Sequence, residues 1–235
     1  MNDPGPTWFP AENRTLSPPT VVFDGVSKYF RTQKGRRWVL YKASFALRRG
    51  QNIGILGQNG AGKSTLLRMI CGMEPPSSGE IRRFAPISWP LGLGGSAQGS
   101  LTGAENAKFV ARIYGAPVEE VVEFVRDFSE LGPAIDVPVR TYSAGMRARL
   151  TFGMSMALKF RCYLIDELTA VGDQNFRKKC IDTFAERRED SDVIIVSHQP
   201  ATIRAYAESV IVLNQGEFHF FADIDEGFYY YNQLR

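Results

Sequence analysis

The sequence predicts an α/β fold with a parallel-sheet core, an N-terminal antiparallel β part and an inserted helical subdomain. Three observations predict this class. Short apolar segments, typical of buried strands, alternate with segments of helical period before and after the middle of the chain. Two strand-like segments near the N-terminus, Val21–Val26 and Val39–Leu47, can pair antiparallel. Helical patterns alone fill about residues 100–160.

The chain begins with residues 1–19, which hold five prolines and show little periodicity. They predict a flexible N-terminal extension, so the folded domain is expected at 20–235. After the antiparallel pair we expect, in order, a strand at Asn52–Leu56, a helix from Lys63 to about Gly72, and short strands at Ile81–Phe84 and Pro86–Trp89.

The helices of the middle segment have recognisable start signals. Thr102 and Glu105 have the spacing of a capping box, and Pro117 stands at a first helical position. Three helices are therefore expected at about residues 102–114, 118–131 and 143–160.

The last part of the chain returns to alternation, which predicts parallel strands joined by crossover helices. The expected elements are strands at Cys162–Ile165 and Val193–Val196 around a polar helix at Asn175–Arg188, strands at Ser209–Leu213 and Glu217–Phe221, and a short tyrosine-rich helix.

Composition excludes several classes of function. The net charge is only +3 and the basic pairs are scattered, so no nucleic-acid partner is expected. The three cysteines lack the spacing of metal ligands. No apolar run is long enough to span a bilayer, and the N-terminus does not have the pattern of a signal peptide. We therefore expect a cytoplasmic chain that reaches a membrane only through a partner.

One segment fits a phosphate-binding loop. Gly57-Gln58-Asn59-Gly60-Ala61-Gly62-Lys63-Ser64 matches G-x-x-x-x-G-K-[ST], and it follows a predicted strand and opens a predicted helix. The backbone N–H groups, the helix dipole and Lys63 can offset the charge of a triphosphate. Ser64 can supply a hydroxyl to Mg²⁺.

Two further strand ends carry candidate residues. Asp166 and Glu167 follow an apolar strand, where Asp166 could hold Mg²⁺ and Glu167 could polarise an attacking water. His198 follows another apolar strand and could contact the γ-phosphate or the water. Helix capping remains the alternative for the two carboxylates, and a surface position remains the alternative for His198.

The segment TYSAGMRARL (141–150) predicts a second helix N-terminus that can bind an anion. Small residues at Ser143, Ala144 and Gly145 precede a helical run, so backbone N–H groups and the positive end of the dipole point the same way. An ordinary N-cap by Ser143 would use the same groups.

Together these motifs resemble the ATP-binding subunit of ABC transporters, from about Val21 to the C-terminus. The family's phosphate loop is similar to GQNGAGKST (57–65), its second acidic motif to CYLIDE (162–167) and its histidine motif to IIVSH (194–198). Its signature, Leu-Ser-Gly-Gly-Gln, is similar to YSAGM (142–146), although three of the five positions differ. The segments ISWPLGLGGSAQGSLTG (87–103) and ELTAVGD (167–173) are most similar to the ATPase of capsular-polysaccharide exporters, and resemble also the O-antigen and teichoic-acid exporter ATPases.

The resemblance implies ATP and Mg²⁺ as cofactors and ATP-driven export as the function. It implies that two subunits pair head to tail, so that Ser143 and Gly145 of one close on the ATP held by Lys63 of the other. Thr65 belongs to the implied phosphate loop. An aromatic residue should stack on adenine, and Phe30 fits the pattern, with Tyr29 and Trp38 as competitors.

The other implied partner is an integral-membrane permease. The chain would bind it peripherally at the cytoplasmic face of the inner membrane and would contact the polysaccharide only through it. The permease is expected to dock around Trp89–Leu101, where exposed apolar residues would mark the site. The γ-phosphate-sensing Gln of the family is absent from its expected slot at Leu91–Gly94, and Gln98 lies several residues later.

Two alternatives belong to other classes. A soluble ABC-type ATPase that acts on DNA or ribosomes usually brings a coiled coil or a second cassette, and neither is present in this sequence. A small P-loop kinase or GTPase is the other alternative, but an Asn-Lys-x-Asp guanine-binding motif is absent and a kinase has no use for residues 142–146. ATP-dependent dimerisation would distinguish an ABC ATPase, whether exporter or soluble, from a small P-loop kinase or GTPase.

Overall fold

The computed structural model describes residues 17–33, 35–91, 97–166, 174–197 and 199–234. The helices and strands within these ranges are, in chain order, β1 Pro19–Thr32, β2 Gly35–Arg48, β3 Ile53–Gly57, α1 Lys63–Cys71, β4 Ser78–Arg83, α2 Gly103–Ile113, α3 Val118–Ser129, α4 Ala144–Ala157, β5 Cys162–Asp166, α5 Gln174–Arg188, β6 Asp192–Val196, α6 Pro200–Tyr206, β7 Ser209–Asn214, β8 Glu217–Phe221 and α7 Ile224–Gln233. Short 3₁₀-helices lie at Gly132–Asp136 and Val139–Thr141.

The chain forms two compact units. Among the described residues, the first contains the segments up to 90, 161–166 and 191–234, and the second contains Leu91, 97–160 and 174–190. Helix α5 therefore groups with the helical segment that the sequence predicts at 100–160. Within the described residues no helix is long and apolar enough to cross a membrane.

A five-stranded sheet of order β5-β6-β3-β7-β8 forms the centre of the first unit. Its pairs are parallel except β7 with β8. The strand β3 is buried at every position, as expected of a parallel strand covered on both faces. Asp166 lies beside Val196, and Val196 lies beside Ile55. The register therefore places Asp166 at the carboxyl ends of the parallel strands, the same end at which β3 leads into the phosphate loop.

A three-stranded antiparallel sheet of order β2-β1-β4 completes the first unit. Phe45 on β2 joins it to the larger sheet, because its ring stacks on Phe23 at a centroid distance of 4.3 Å and on Phe218 of β8 at 4.2 Å. The strand β1 begins at Pro19, the last residue of the predicted extension, and residues 1–16 lie outside the described ranges.

The second unit is helical, and its first long helix begins as predicted. Thr102 accepts a hydrogen bond from Glu105 N at 3.1 Å, and the Glu105 carboxylate accepts one from Thr102 N at 2.8 Å, which forms the capping box. Phe128 on α3 packs against Phe152 on α4 and Phe176 on α5. These aromatic contacts hold the three helices together.

Two predictions from the sequence differ from the structure. The segment Pro86–Trp89 makes only a single parallel bridge, Ile87 to Cys162. In place of further backbone hydrogen bonds to β5, the side chain of Ser88 contacts that strand. Its Oγ accepts a hydrogen bond from Leu164 N and donates one to the Trp89 carbonyl. The sequence did not predict the short helix α6, because its seven residues are too few to show a helical period.

Candidate functional site

The loop between β3 and α1 has the backbone of a phosphate cradle. Gln58, Asn59 and Gly60 are exposed at its tip, and Ala61 N donates to Gln58 O at 3.0 Å to close the turn. Gly62 is the N-cap of α1 with φ at 105°, and no side chain caps the helix. A Cβ on Gly62 would lie 2.3 Å from Val39 Cγ1, so glycine is required by both conformation and space. The uncapped first turn can accept an anion.

Lys63 lies against this loop and is only 8% exposed. Its Nζ donates to the carbonyls of Gly57 at 2.8 Å and Gln58 at 3.1 Å. Thr65 is buried behind it and Ser64 is half-buried. The ammonium group is therefore held beside the loop, within reach of a bound phosphate.

Asp166 fits the chemistry of a divalent cation. It ends β5 at the sheet edge that carries the loop. Among the described residues, its Oδ2 is buried and makes no hydrogen bond. A buried carboxylate oxygen without a protein donor is a suitable ligand for Mg²⁺, which typically binds one or two carboxylates together with substrate phosphates. The described residues hold no cluster of three or more His, Cys, Asp or Glu side chains that could bind a metal without a substrate.

The N-terminal hairpin contributes a contact that the sequence did not predict. Arg37 donates from its guanidinium to the carbonyl of Gly60 at the tip of the loop. The only signal in the sequence was its membership of a basic pair. Phe30 lies opposite Arg37 in the β1–β2 register, is 43% exposed, and has Lys28 Nζ at 5.2 Å from its ring centroid. The exposed ring of Phe30 therefore belongs to the part of the hairpin that contacts the loop.

The competing aromatics of the hairpin are engaged elsewhere. Tyr29 and Trp38 pack edge to face at 5.1 Å, and Trp38 packs on Tyr41 at 4.9 Å. The guanidinium of Arg36 covers the Tyr29 ring at 4.6 Å. These contacts favour Phe30 as the ring that is available to a ligand.

In the second unit, Ser143 is the N-cap of α4 and its Oγ accepts from Met146 N at 3.2 Å. Ser143, Ala144 and Gly145 are exposed. Among the described residues, a Cβ on Gly145 would meet only Ser143 Oγ, at 3.8 Å. Neither the conformation of Gly145 nor its packing against described residues requires a glycine, so these residues leave room before α4 for an approaching molecule.

Of three other residues singled out in the sequence, the structure describes only Gln98. Glu167 and His198 lie outside the described residues. Gln98 is exposed, and its backbone is fixed by Asn106, whose side chain accepts from Gln98 N at 2.7 Å and donates to Gln98 O at 3.0 Å.

Among the described residues of the predicted docking segment, Trp89 and Leu91 do not present the expected surface. Trp89 and Leu91 are both buried, so they cannot form an exposed apolar patch, and a charge at Leu91 would be buried at a cost in stability. Leu93 lies outside the described residues. The exposed large apolar side chains of α2 are Phe109 at 54% and Ile113 at 60%, four positions apart on one helix face.

The two buried cysteines, Cys162 and Cys180, are not poised for nucleophilic chemistry. Burial raises the pKa of the Cys162 thiol far above its ordinary value, and burial raises that of Cys180 to about 12. Both thiols stay protonated at neutral pH, and a protonated thiol is a poor nucleophile.

A strand that ends in a glycine-rich loop with a buried lysine and an uncapped helix defines the P-loop class of nucleotide-binding proteins. The family model described as ABC transporter matches residues 40–170. The chain belongs to the ABC transporter family, and it carries an ATP-hydrolysing cassette of that family.

The individual matches cover most of the chain. It is 49% identical to the capsule polysaccharide export ATP-binding protein CtrD of Neisseria meningitidis serogroup B over 91% of this chain and 99% of that protein. It is 50% identical to the polysialic acid transport ATP-binding protein KpsT of Escherichia coli over 88% of this chain and 95% of that protein. The solved dimeric structure of the ATP-binding cassette MJ0796 bound to ADP and Pi has a TM-score of 0.68 at 19% identity, covering 85% of this chain and 98% of that one.

Proposed function

We propose that this chain hydrolyses ATP to drive the export of a capsular polysaccharide through a separate integral-membrane permease. The observation that carries the proposal is the identity, at about half of the aligned positions, to one protein named for capsule polysaccharide export and one named for polysialic acid transport, along nearly the whole length of each. In this function the chain binds the permease at the cytoplasmic face of the inner membrane and contacts the polysaccharide only through it.

The loop 57–65 binds the triphosphate. Its backbone N–H groups and the N-terminus of α1 face the phosphates, and Lys63 exchanges the carbonyls of Gly57 and Gln58 for phosphate oxygens. Phe30 stacks on adenine, which its exposure and the contact of neighbouring Arg37 with Gly60 support.

Ser64 and Asp166 would hold Mg²⁺, in keeping with the buried, unpaired Oδ2 of Asp166 among the described residues. A bound ion there would help to neutralise the charge that develops on the phosphates. Glu167, the residue after Asp166, orients and polarises the attacking water. His198 contacts the γ-phosphate or that water.

A second copy of the chain completes the site. Ser143 and Gly145 lie exposed before α4, where a helix N-terminus favours an anion. We assign them to the γ-phosphate of the ATP held by the partner's loop. The dimeric state described for the solved cassette MJ0796 supports this pairing.

The permease contacts the exposed apolar face of α2. Phe109 and Ile113 place two large apolar side chains in water, four positions apart, which is unfavourable unless a partner covers them. This face lies outside the segment Trp89–Leu101 that the sequence suggested, in which Trp89 and Leu91 are buried.

The test is complementation of a deletion strain of the organism that carries the gene. The wild-type chain should restore polysaccharide to the cell surface. Lys63→Ala should leave polysaccharide inside the cell, because removing one preorganised cation typically costs about 10²–10³ in rate. Lys159→Ala, at an exposed lysine, is the matched control and should export normally. Normal surface polysaccharide in the deletion strain would refute the proposal.

A further inference from the structure

The last turn of α7 contacts the phosphate loop. Tyr231 is buried, at 7% exposure, and its hydroxyl donates to the carbonyl of Gly57 at 3.4 Å. Gln58 donates from its side-chain amide to the carbonyl of Leu234, the C-cap of the same helix. Two contacts therefore join the C-terminal helix to the first two residues of the loop.

The other end of α7 is fixed to the rest of the first unit. Asp223 caps the helix and accepts hydrogen bonds from Asp225 N and Glu226 N. A Cβ on Gly227 would lie 2.0 Å from Val210 Cγ2, so α7 lies directly on β7. Arg204 of α6 forms an ion pair with Asp225. The sheet and α6 therefore set the position of the Tyr231 hydroxyl.

The Gly57 carbonyl accepts from two side chains at once. Lys63 Nζ donates to it at 2.8 Å, and Tyr231 donates to the same oxygen. Binding of phosphate draws the ammonium group of Lys63 toward the anion and away from this buried carbonyl. A buried carbonyl that loses a donor is destabilised unless a second donor remains. Tyr231 is that second donor.

We propose that Tyr231 is a positioning residue for nucleotide binding, which keeps the Gly57 carbonyl hydrogen-bonded after Lys63 has moved to the phosphates. The contact of Gln58 with Leu234 holds the loop against α7 while this exchange takes place. The inference rests on the proposed role of Lys63 in binding the triphosphate.

The first test measures ATP and ADP affinity of the full chain by calorimetry. Tyr231→Phe keeps the ring and removes only the hydroxyl, and it should raise the Kd for both nucleotides about five- to tenfold. At saturating ATP the kcat should be unchanged, because the hydroxyl acts equally in the ground state and the transition state. Tyr229→Phe, 69% exposed on the same helix, is the matched control and should bind like the wild type.

The second test needs no nucleotide. In the chain with Lys63, Tyr231→Phe should leave the melting temperature nearly unchanged, because Lys63 still donates to Gly57. In a Lys63→Met background the same change should lower the melting temperature, because no side chain then replaces the lost donor. This non-additivity is the signature of a shared acceptor.

The outcomes separate the two proposals. Failure of the wild-type chain to bind ATP would refute the proposed function, while the melting experiment would still test the shared carbonyl. An unchanged Kd in Tyr231→Phe, or equal melting shifts in the two backgrounds, would overturn the role of Tyr231. An equal rise in Kd for Tyr229→Phe would also overturn it.

Discussion

The helices α1 and α4 both begin after a short segment rich in small residues, yet the two N-termini are built differently. In α1 the N-cap is Gly62, with a left-handed backbone, no capping side chain, and Val39 in the space where a Cβ would lie. In α4 the N-cap is Ser143, whose side chain caps the helix, and no residue that the structure describes crowds Gly145. The first glycine is explained by the chain's own fold. The second leaves room for something outside it.

The largest expected effect concerns dimer formation. Glu167→Gln removes the charge that polarises water, and loss of a general base typically costs about 10²–10⁴ in rate. ATP should still bind, so this variant should accumulate as an ATP-bound dimer in sedimentation experiments with ATP and Mg²⁺. Adding Ser143→Arg should return it to monomer, because a long cation fills the open space before α4.

The control for that experiment is Glu119→Arg, at an exposed position of α3 in the same unit. Combined with Glu167→Gln it should still dimerise. If the Ser143→Arg combination dimerises as well, the N-terminus of α4 is only capped by Ser143 and has no role at a partner's nucleotide.

A matched pair of glycine substitutions sharpens the comparison. Gly62→Ala should lower the free energy of unfolding by about 1–3 kcal/mol, because alanine is strained at positive φ and meets Val39. Gly145→Ala should leave it unchanged or raise it by up to about 1 kcal/mol, since alanine favours helix. Chemical denaturation without nucleotide measures both.

The dimer assay tests whether the glycine of α4 has a role beyond the fold. In the Glu167→Gln background, Gly145→Ala should weaken ATP-dependent dimerisation although the fold is intact. Equal losses of stability in the two variants would show that the two N-termini are built alike after all.

The smallest expected effect is a pH dependence of the stability of the second unit. Hydrogen bonds from Lys179 and then Arg149 hold the pKa of Glu130 below its ordinary value. Because the folded pKa lies below the unfolded one, the carboxylate stabilises the fold above the unfolded pKa, and this contribution disappears as the pH falls through the folded pKa. Glu130→Gln should lower the free energy of unfolding by less than about 1 kcal/mol at neutral pH and should leave it unchanged in acid.

Thermal melting from neutral to acidic pH measures this difference. Glu123→Gln, at an exposed glutamate of α3, the helix whose C-cap is Glu130, is the control and should follow the wild type throughout. A Glu130→Gln difference that stays constant across this pH range would exclude the ion pairs as its cause.

Patterns that lie within a few positions of each other could be predicted from the sequence. The strand end at Gly57, the start of α1 at Lys63, the capping box at Thr102 and the N-cap at Ser143 all depend on neighbours within one or two helical turns. Local backbone geometry and hydrogen bonding decide them, so the tertiary structure does not override them.

Contacts between distant parts of the chain could not be predicted. Arg37 reaches Gly60 across 23 positions, and Tyr231 reaches Gly57 across 174. The burial of Trp89 and Leu91 depends in the same way on what packs against them. A glycine-rich segment with apolar residues can lie on the surface or inside, and its local sequence does not distinguish the two.

The contact between Gln58 and Leu234 matters to anyone who intends to label this protein. A purification tag or fluorescent fusion attached after residue 235 would begin close to Leu234, and therefore close to the exposed tip of the loop. Its linker could shield an incoming nucleotide or pull on α7, and the resulting change in affinity would be mistaken for a property of the enzyme. Binding measurements therefore call for a cleavable label and a comparison with the label removed.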